Sequence, residues 1–180
     1  MMSSEGIGKA APYIITTGQQ AREKIETTLR SMEVGRLGLC DGDQPYVLPM
    51  NYLYTPGRLI FHGPLSGGKK IGIIQKNPKA CFVVDRPMEV MEAGAHTCHV
   101  EYESLICYGT VREVTKVDER AEFFHKWNDY YKYDHGTWSM EEAAKTCGIL
   151  IFDIKEVTMR PGKFLAKGPR PLYVYEFKSM

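Results

Sequence analysis

Apolar residues recur along this chain at two periods, and the changes between them mark out its elements. Within Gly18–Met32 the apolar positions Ala21, Ile25, Leu29 and Met32 fall three or four residues apart, the spacing of one helix face, with Thr17 placed as a cap. From Val34 the spacing drops to alternation among β-branched and aromatic residues, which predicts strands at about 34–41, 46–54 and 58–63. Asp41-Gly42-Asp43 and Thr55-Pro56-Gly57 are the turns between them. Helical spacing returns at about 68–76 through Ile71, Ile73 and Ile74 and stops before Asn77-Pro78. Strands follow at about 79–85 and 99–114, the second long enough to predict a bend or bulge. Glu119–Tyr131 and Ser139–Lys145 read as helices, and 147–159 reads as the closing strand. The order suits a small β-barrel with helices on its outside. Residues 1–17 are expected to be a flexible N-terminal segment, 18–165 the folded domain and 166–180 a tail, in which Tyr173-Val174-Tyr175 could pair at a sheet edge.

The candidate chemistry lies where the third strand meets the short helix. Phe61-His62 is followed by Gly63-Pro64-Leu65-Ser66-Gly67-Gly68-Lys69-Lys70. Glycines let the backbone approach an anion, N–H groups at a helix start are unpaired, and the helix dipole adds attraction there. Lys69 and Lys70 supply full charges, and the preceding hairpin with Leu48-Pro49-Met50-Asn51-Tyr52 supplies a flat wall. Together they read as a nucleotide-like cofactor site; the alternative for Gly67-Gly68-Lys69-Lys70 is a solvated turn. The run is not a Walker A motif, because Ile71 or Lys70 stands where Ser or Thr is needed.

An ordered string of short motifs carries a resemblance over about residues 20–165. Gly35-Arg36-Leu37-Gly38-Leu39, Pro45–Tyr52, Leu59-Ile60-Phe61-His62-Gly63, Lys69-Lys70-Ile71, Asn77–Phe82 and Ser104–Gly109 resemble the pyridoxamine 5′-phosphate oxidase-related, FMN-binding split-barrel family, and within it the Nim-type nitroimidazole resistance branch. The chain has one residue more between His62 and the basic pair than the family's usual spacing. The resemblance implies a mainly β protein with peripheral helices (α+β), built on a six-stranded split β-barrel, with FMN in a groove shared by a homodimer. Lys69 and Lys70 would then bind the phosphate beside Gly63, while Leu48, Pro49, Met50, Asn51 and Tyr52 would meet the ring. Ser104 or Tyr108 would reach the cofactor from the partner, with Arg160 a weaker candidate. His62 would line the pocket and act on substrate or reduced ring; its alternative is a barrel-rim histidine satisfied by backbone.

The activity this implies is electron transfer through FMN from NADH, NADPH or another reductant to a small acceptor such as a nitroaromatic, with no protein nucleophile. A non-catalytic flavin carrier or redox sensor is the alternative, and a barrel binding another small anion or haem, for which His62 and His99 would be available, is a third. Pyridoxamine 5′-phosphate oxidase proper is disfavoured, since its C-terminal Trp- and Arg-rich signature is missing and the only tryptophans are Trp127 and Trp138.

Composition narrows the rest. At 180 residues and 43% hydrophobic content the chain can bury a core as one domain. A net charge of +1 argues against a nucleic-acid partner. The apolar runs have strand length, which argues against a membrane span, and the small polar N-terminus lacks the pattern of a signal peptide, so a cytoplasmic protein is expected. The five cysteines include no C-x-x-C, and all but Cys98 sit in apolar runs and read as packing. Cys98 lies in Ala95-His96-Thr97-Cys98-His99, but no fourth ligand stands at a recognisable spacing and no metal is expected. His125 reads as packing or surface, and the aromatic cluster Trp127–Tyr133 with His135 and Trp138 as helix packing or a pocket wall.

Overall fold

The computed structural model describes residues 13–65, 67–91, 99–132, 139–162 and 170–177. The elements run β1 (Tyr13–Thr16), α1 (Gly18–Arg30), β2 (Val34–Asp41), β3 (Gln44–Asn51), β4 (Leu53–Thr55), β5 (Arg58–Pro64), α2 (Lys69–Lys76), β6 (Lys79–Met91), β7 (His99–Val114), α3 (Val117–Tyr131), α4 (Met140–Thr146), β8 (Cys147–Pro161) and β9 (Arg170–Glu176). The His96 and Cys98 of the possible metal cluster lie outside the described residues, as do His135 and Trp138.

Hydrogen bonding gives the strand order β1-β9-β8-β7-β6-β2-β3, with β5 on β8 and β4 on β5. Six of these strands, β3-β2-β6-β7-β8-β5, curl into the expected barrel. The sheet counts nine because three short pieces are added to that frame. β4 continues β3 beyond Tyr52, β9 pairs with the second half of β8, and β1 runs parallel to β9. Thus Tyr13–Thr16, within the segment expected to be flexible, is a strand, and Tyr173–Tyr175 does pair in the sheet. β7 carries the irregularity expected of so long a strand, a register shift against β8 at Tyr108/Gly109, and a second shift that the sequence did not suggest lies at Pro87/Glu89 in β6.

Alternation along β5 and β8 divides the core in two, because successive side chains point to opposite faces. Leu59 and Phe61 with Leu150 and Phe152 face the barrel interior, where they join Leu37, Phe82 and Leu105. Ile60 with Ile149 and Ile151 faces outward beneath α3 and α4, against Phe124, Trp127 and Ala144. Among the described residues no helix is long and apolar enough to cross a membrane.

Polar side chains lock the helices onto this frame. Ser139 and Glu142 form a reciprocal capping box at α4, whereas Thr17 stands at the α1 N-cap without a side-chain bond. Glu103, 2% exposed, meets Arg86 of β6 at 2.7 Å and Lys24 of α1 at 3.4 Å. Arg120, 6% exposed, donates to the carbonyls of Val114, Thr115 and Ala144, and so ties the start of α3 to β7 and to α4.

Candidate functional site

The barrel parts between β3 and β5, and the residues there explain why. β4 pairs with β5 through Leu53↔Ile60, a register that would continue as Asn51 against His62 and Met50 against Gly63. The ladder ends at Leu53 instead. Tyr52 turns away: its N–H donates to the Glu33 carbonyl (3.0 Å) and its own carbonyl accepts the Tyr131 hydroxyl (2.8 Å). Pro49 has no N–H to offer. Into the gap comes Lys70 from the first turn of α2, its Nζ 3.9 Å from Met50 Sδ. A Cβ at position 63 would lie 3.1 Å from that Nζ, so Gly63 is the residue that leaves the ammonium its room.

The ammonium is half-buried, and burial pushes its pKa down. Among the described residues no carboxylate pairs with it. A charge taken partly out of water without a partner costs free energy unless an anion joins it. The backbone adds to the same demand. Gly67 and Gly68 both have φ of +80°, which bends the chain into α2, and the helix starts with no side-chain cap and no acidic residue in its first turn. Its free N–H groups and Lys70 therefore form a cationic corner at the mouth of the split.

Lys69 is placed differently from its neighbour. It is exposed, and its Nζ stands 5.3 Å from the centre of the Tyr46 ring on β3. Tyr46 was not singled out from the sequence; the available signal was its position two residues before Leu48, on the same face of the strand. Leu48 and Met50 point inward against the barrel core, while Pro49 and Asn51 are on the outer face.

Tyr52 is a core residue. It is 1% exposed, its hydroxyl donates to the Leu29 carbonyl (2.8 Å), and it meets Phe82 edge-on at 5.2 Å. Burial pushes its phenol pKa well above the ordinary value. With side chain and backbone both committed internally, its place is to hold α1, α3 and the β3–β4 junction together.

His62 faces outward from β5 into the aromatic layer, edge-on to Trp127 at 4.7 Å and 6.4 Å from Phe124. Burial, with Lys70 adding repulsion, lowers its pKa, so the imidazole is neutral near pH 7. Among the described residues neither ring nitrogen has a hydrogen-bond partner. His125, in contrast, is a surface residue paired with Glu141 at 3.0 Å.

Ser104 and Tyr108 lie elsewhere in the chain. Both point from the outer face of β7, which is separated from β5 by β8 and from β3 by β2 and β6. Arg160, across from Ser104, donates to the hydroxyls of Tyr102 (2.9 Å) and Tyr13 (3.0 Å). The cluster that one chain assembles by itself is therefore Met50, His62, Gly63, Lys69 and Lys70, with Tyr46 and Trp127 beside it.

The fold and this corner define a split-barrel protein with a cationic corner at its opening. The chain belongs to the pyridoxamine 5′-phosphate oxidase family, whose model matches residues 21–161. It is 26% identical over 110 residues to an uncharacterized protein of Rhizobium meliloti (strain 1021), an alignment covering 60% of this chain and 65% of that relative, just under two thirds of its length. A candidate 5-nitroimidazole antibiotic resistance protein from Bacteroides thetaiotaomicron shares the fold at a TM-score of 0.64 and 22% identity, covering 76% of this chain and 81% of the other. The FAD and heme binding protein from Mycobacterium smegmatis does so at 0.68 and 15%, covering 85% and 81%.

Proposed function

We propose that this protein is an FMN-dependent oxidoreductase that takes electrons from NADH or NADPH and passes them to a small acceptor, a nitroaromatic being one candidate class, in the cytoplasm. The observation that carries the flavin reading is the half-buried, unpaired ammonium of Lys70 between Met50 and Gly63 at the start of α2. A terminal phosphate is the group that such a corner accommodates, and the family and the flavin-binding structural neighbour support the choice of flavin.

Lys70 and the first N–H groups of α2 would hold the phosphate, Lys69 would add a screened charge over Tyr46, and the edge of β3 at Pro49–Asn51 that faces away from β2 would lie along the ring. The isoalloxazine supplies the hydride and electron chemistry when bound. The chain's own part is to position it, to limit water and to offer a neutral imidazole. His62 can donate a hydrogen bond from one nitrogen and accept one at the other, which suits a group that gains negative charge during reduction.

A second copy of the chain completes the site in this reading. Val34, Val47 and Tyr108 are 53%, 64% and 46% exposed on one outer face of the sheet, a surface that a partner subunit would cover while bringing its own Ser104 and Tyr108 toward the cofactor.

The visible absorption spectrum of the purified protein tests the cofactor: oxidised-flavin bands with one FMN per subunit are expected, and a protein that neither carries nor takes up flavin refutes the reading. Bleaching by NADH or NADPH, followed by acceptor-dependent recovery, tests turnover. A flavin-loaded monomer in light scattering would overturn the shared groove.

His62 gives two readouts. At full FMN occupancy, His62→Gln is expected to slow reduction or reoxidation by about tenfold or more, the worth of one hydrogen bond to a group that gains charge; stopped-flow rates equal to wild type would assign it to packing alone. Its depressed pKa also predicts a pH effect on stability. The unfolded chain takes up a proton on this histidine near pH 6.5, about the ordinary value, while the folded chain does so only at lower pH. The unfolded state therefore binds more protons in that window, and stability falls as pH drops below it. Thermal melts between pH 7.5 and 5, conditions chosen to span about the ordinary histidine pKa, should show a shallower acid loss for His62→Gln than for wild type.

A further inference from the structure

Strand alternation fixes which backbone groups face the split. The N–H and C=O of one strand residue point to the same neighbour, and those of the next residue point the other way. The N–H of Tyr52 donates to the Glu33 carbonyl on the β2 side, so the groups of Asn51 face away from β2 and toward β5. On the β5 side the Gly57 carbonyl accepts from the N–H of Ile154 in β8, so Leu59 and Phe61 face β8 in turn, and the groups of Ile60 and His62 face the opposite edge. Leu53 and Ile60 pair there, and the next pair that the register supplies is Asn51 with His62. These two residues aim their backbone groups at each other across the split, yet the ladder stops one step short of them.

The Tyr52 carbonyl marks the place where it stops. In a continued strand that carbonyl would turn toward β2 with its own N–H; it accepts instead from the Tyr131 hydroxyl of α3 at 2.8 Å. The same helix touches the other wall as well. The Tyr131 ring stacks on Trp127, with 5.1 Å between centres and 28° between planes, and Trp127 stands edge-on to His62 of β5. α3 therefore spans the split, hydrogen-bonded to the end of β3 on one side and packed on β5 on the other. We propose that Tyr131 is a positioning residue that holds the split open: its hydroxyl keeps the Tyr52 carbonyl out of the sheet and, with it, the backbone of Asn51 apart from that of His62. The gap matters because Lys70 occupies it. One step further along, the register would bring Met50 against Gly63, where Lys70 Nζ lies 3.9 Å from Met50 Sδ and 3.1 Å from the place of a Cβ on residue 63, so zipping the two strands would displace the ammonium. Without the hydroxyl, the carbonyl regains a partner by turning back into the sheet, and the unpaired groups of Asn51 and His62 satisfy each other. The role rests on the split being the flavin site and names the residue that keeps it accessible.

Hydrogen exchange of the ligand-free full chain, followed residue by residue by NMR, tests this. In wild type the amides of Asn51 and His62 are expected to exchange at least about tenfold faster than those of Leu53 and Ile60, their neighbours in the formed ladder. Tyr131→Phe keeps the ring on Trp127 and removes only the hydroxyl. It should slow exchange at Asn51 and His62 several-fold, with about tenfold, the worth of one hydrogen bond, as the ceiling. FMN affinity should fall by the same factor, because exchange and binding both scale with the open fraction. Tyr130→Phe is the control: its hydroxyl donates to the Arg30 carbonyl at 3.1 Å, fastening the same turn of α3 to α1 rather than to β3. That variant should leave both readouts unchanged. Wild-type amides at Asn51 and His62 as protected as those of Leu53 and Ile60 would overturn the role, whether or not the variants fold. So would exchange that is unchanged or faster there in Tyr131→Phe, an equal change in Tyr130→Phe, or FMN held as tightly by Tyr131→Phe as by wild type. Because exchange is read without ligand, the flavin reading is separable. The expected exchange pattern with FMN bound by none of the proteins keeps Tyr131 in its role and refutes the flavin, whereas FMN bound by wild type with no change of exchange in Tyr131→Phe refutes the role alone.

Discussion

Lys70→Ala is expected to lower FMN affinity by about 10- to 100-fold, corresponding to one charge-assisted bond of about 1.5–3 kcal/mol. Riboflavin, which lacks the phosphate, should lose less than about threefold, a factor worth under about 0.7 kcal/mol. The two lysines are adjacent in sequence but not equivalent in energy. Lys70 is half-buried between Met50 and Gly63, where solvent screens its charge less. Lys69 is exposed, and salt screens an exposed charge. Lys69→Ala should therefore cost only a few-fold, and its effect should shrink as salt is added, whereas that of Lys70→Ala should persist. Fluorescence titration with both ligands at low and high salt measures all of this. Equal losses for FMN and riboflavin, or equal losses for the two lysines, would show that the corner does not hold the phosphate. Lys70→Ala also relieves the cost of a half-buried, unpaired ammonium, so the variant is expected to be at least as stable as wild type in the absence of ligand. That outcome would distinguish a residue kept for binding from one kept for folding.

Arg120→Ala should destabilise the fold by about 3–5 kcal/mol, since it leaves three backbone carbonyls without a charged donor at about 1–3 kcal/mol for each that stays buried. Its guanidinium donates to Ala144 at 2.8 Å, Val114 at 3.1 Å and Thr115 at 2.8 Å. Truncation leaves those carbonyls without their donor in a region with 6% exposure at the arginine itself, and a buried acceptor without a donor costs about 1–3 kcal/mol. Arg120→Lys should restore only part of the loss, since a single ammonium lacks the planar fork that spans carbonyls from two elements. The change reaches the candidate site through α3, because the same helix carries Trp127 against His62. Urea unfolding followed by circular dichroism gives the stability, and tryptophan fluorescence reports whether α3 loosens first. A loss under about 1 kcal/mol, typical of a surface substitution, would mean that α3 is held by its apolar face alone.

The periodicities were sufficient for most of the elements. Helical spacing at Ala21, Ile25 and Leu29 and strand alternation at Leu37, Leu39, Leu59 and Phe61 correspond to buried faces, because a face that must be apolar writes its period directly into the chain. The glycine–lysine run was likewise legible as a helix entrance, and it opens α2. The break at Tyr52 was not. A strand read as continuous over 46–54 is β3 and β4 with a residue turned out between them, and what turns it out is its bonds to Glu33, Leu29 and Tyr131, which come from other parts of the chain. The strands at Tyr13–Thr16 and Arg170–Glu176 escaped the assigned domain limits for a similar reason: each is a short edge piece whose partner is remote in sequence.

What the sequence by itself determined about this protein is therefore local: which stretches are helix or strand, which of their faces are buried, and that glycines and lysines meet a helix start after Phe61-His62. Tertiary structure alone decided that Lys70 and not Lys69 enters the split, that Tyr52 serves the core, and that His62 stands against Trp127. Residues such as Lys70 and Met50 are brought together by the approach of α2 to β3 at the split, and the energy of that approach lies in long-range packing and desolvation. No period or spacing within a single segment records it.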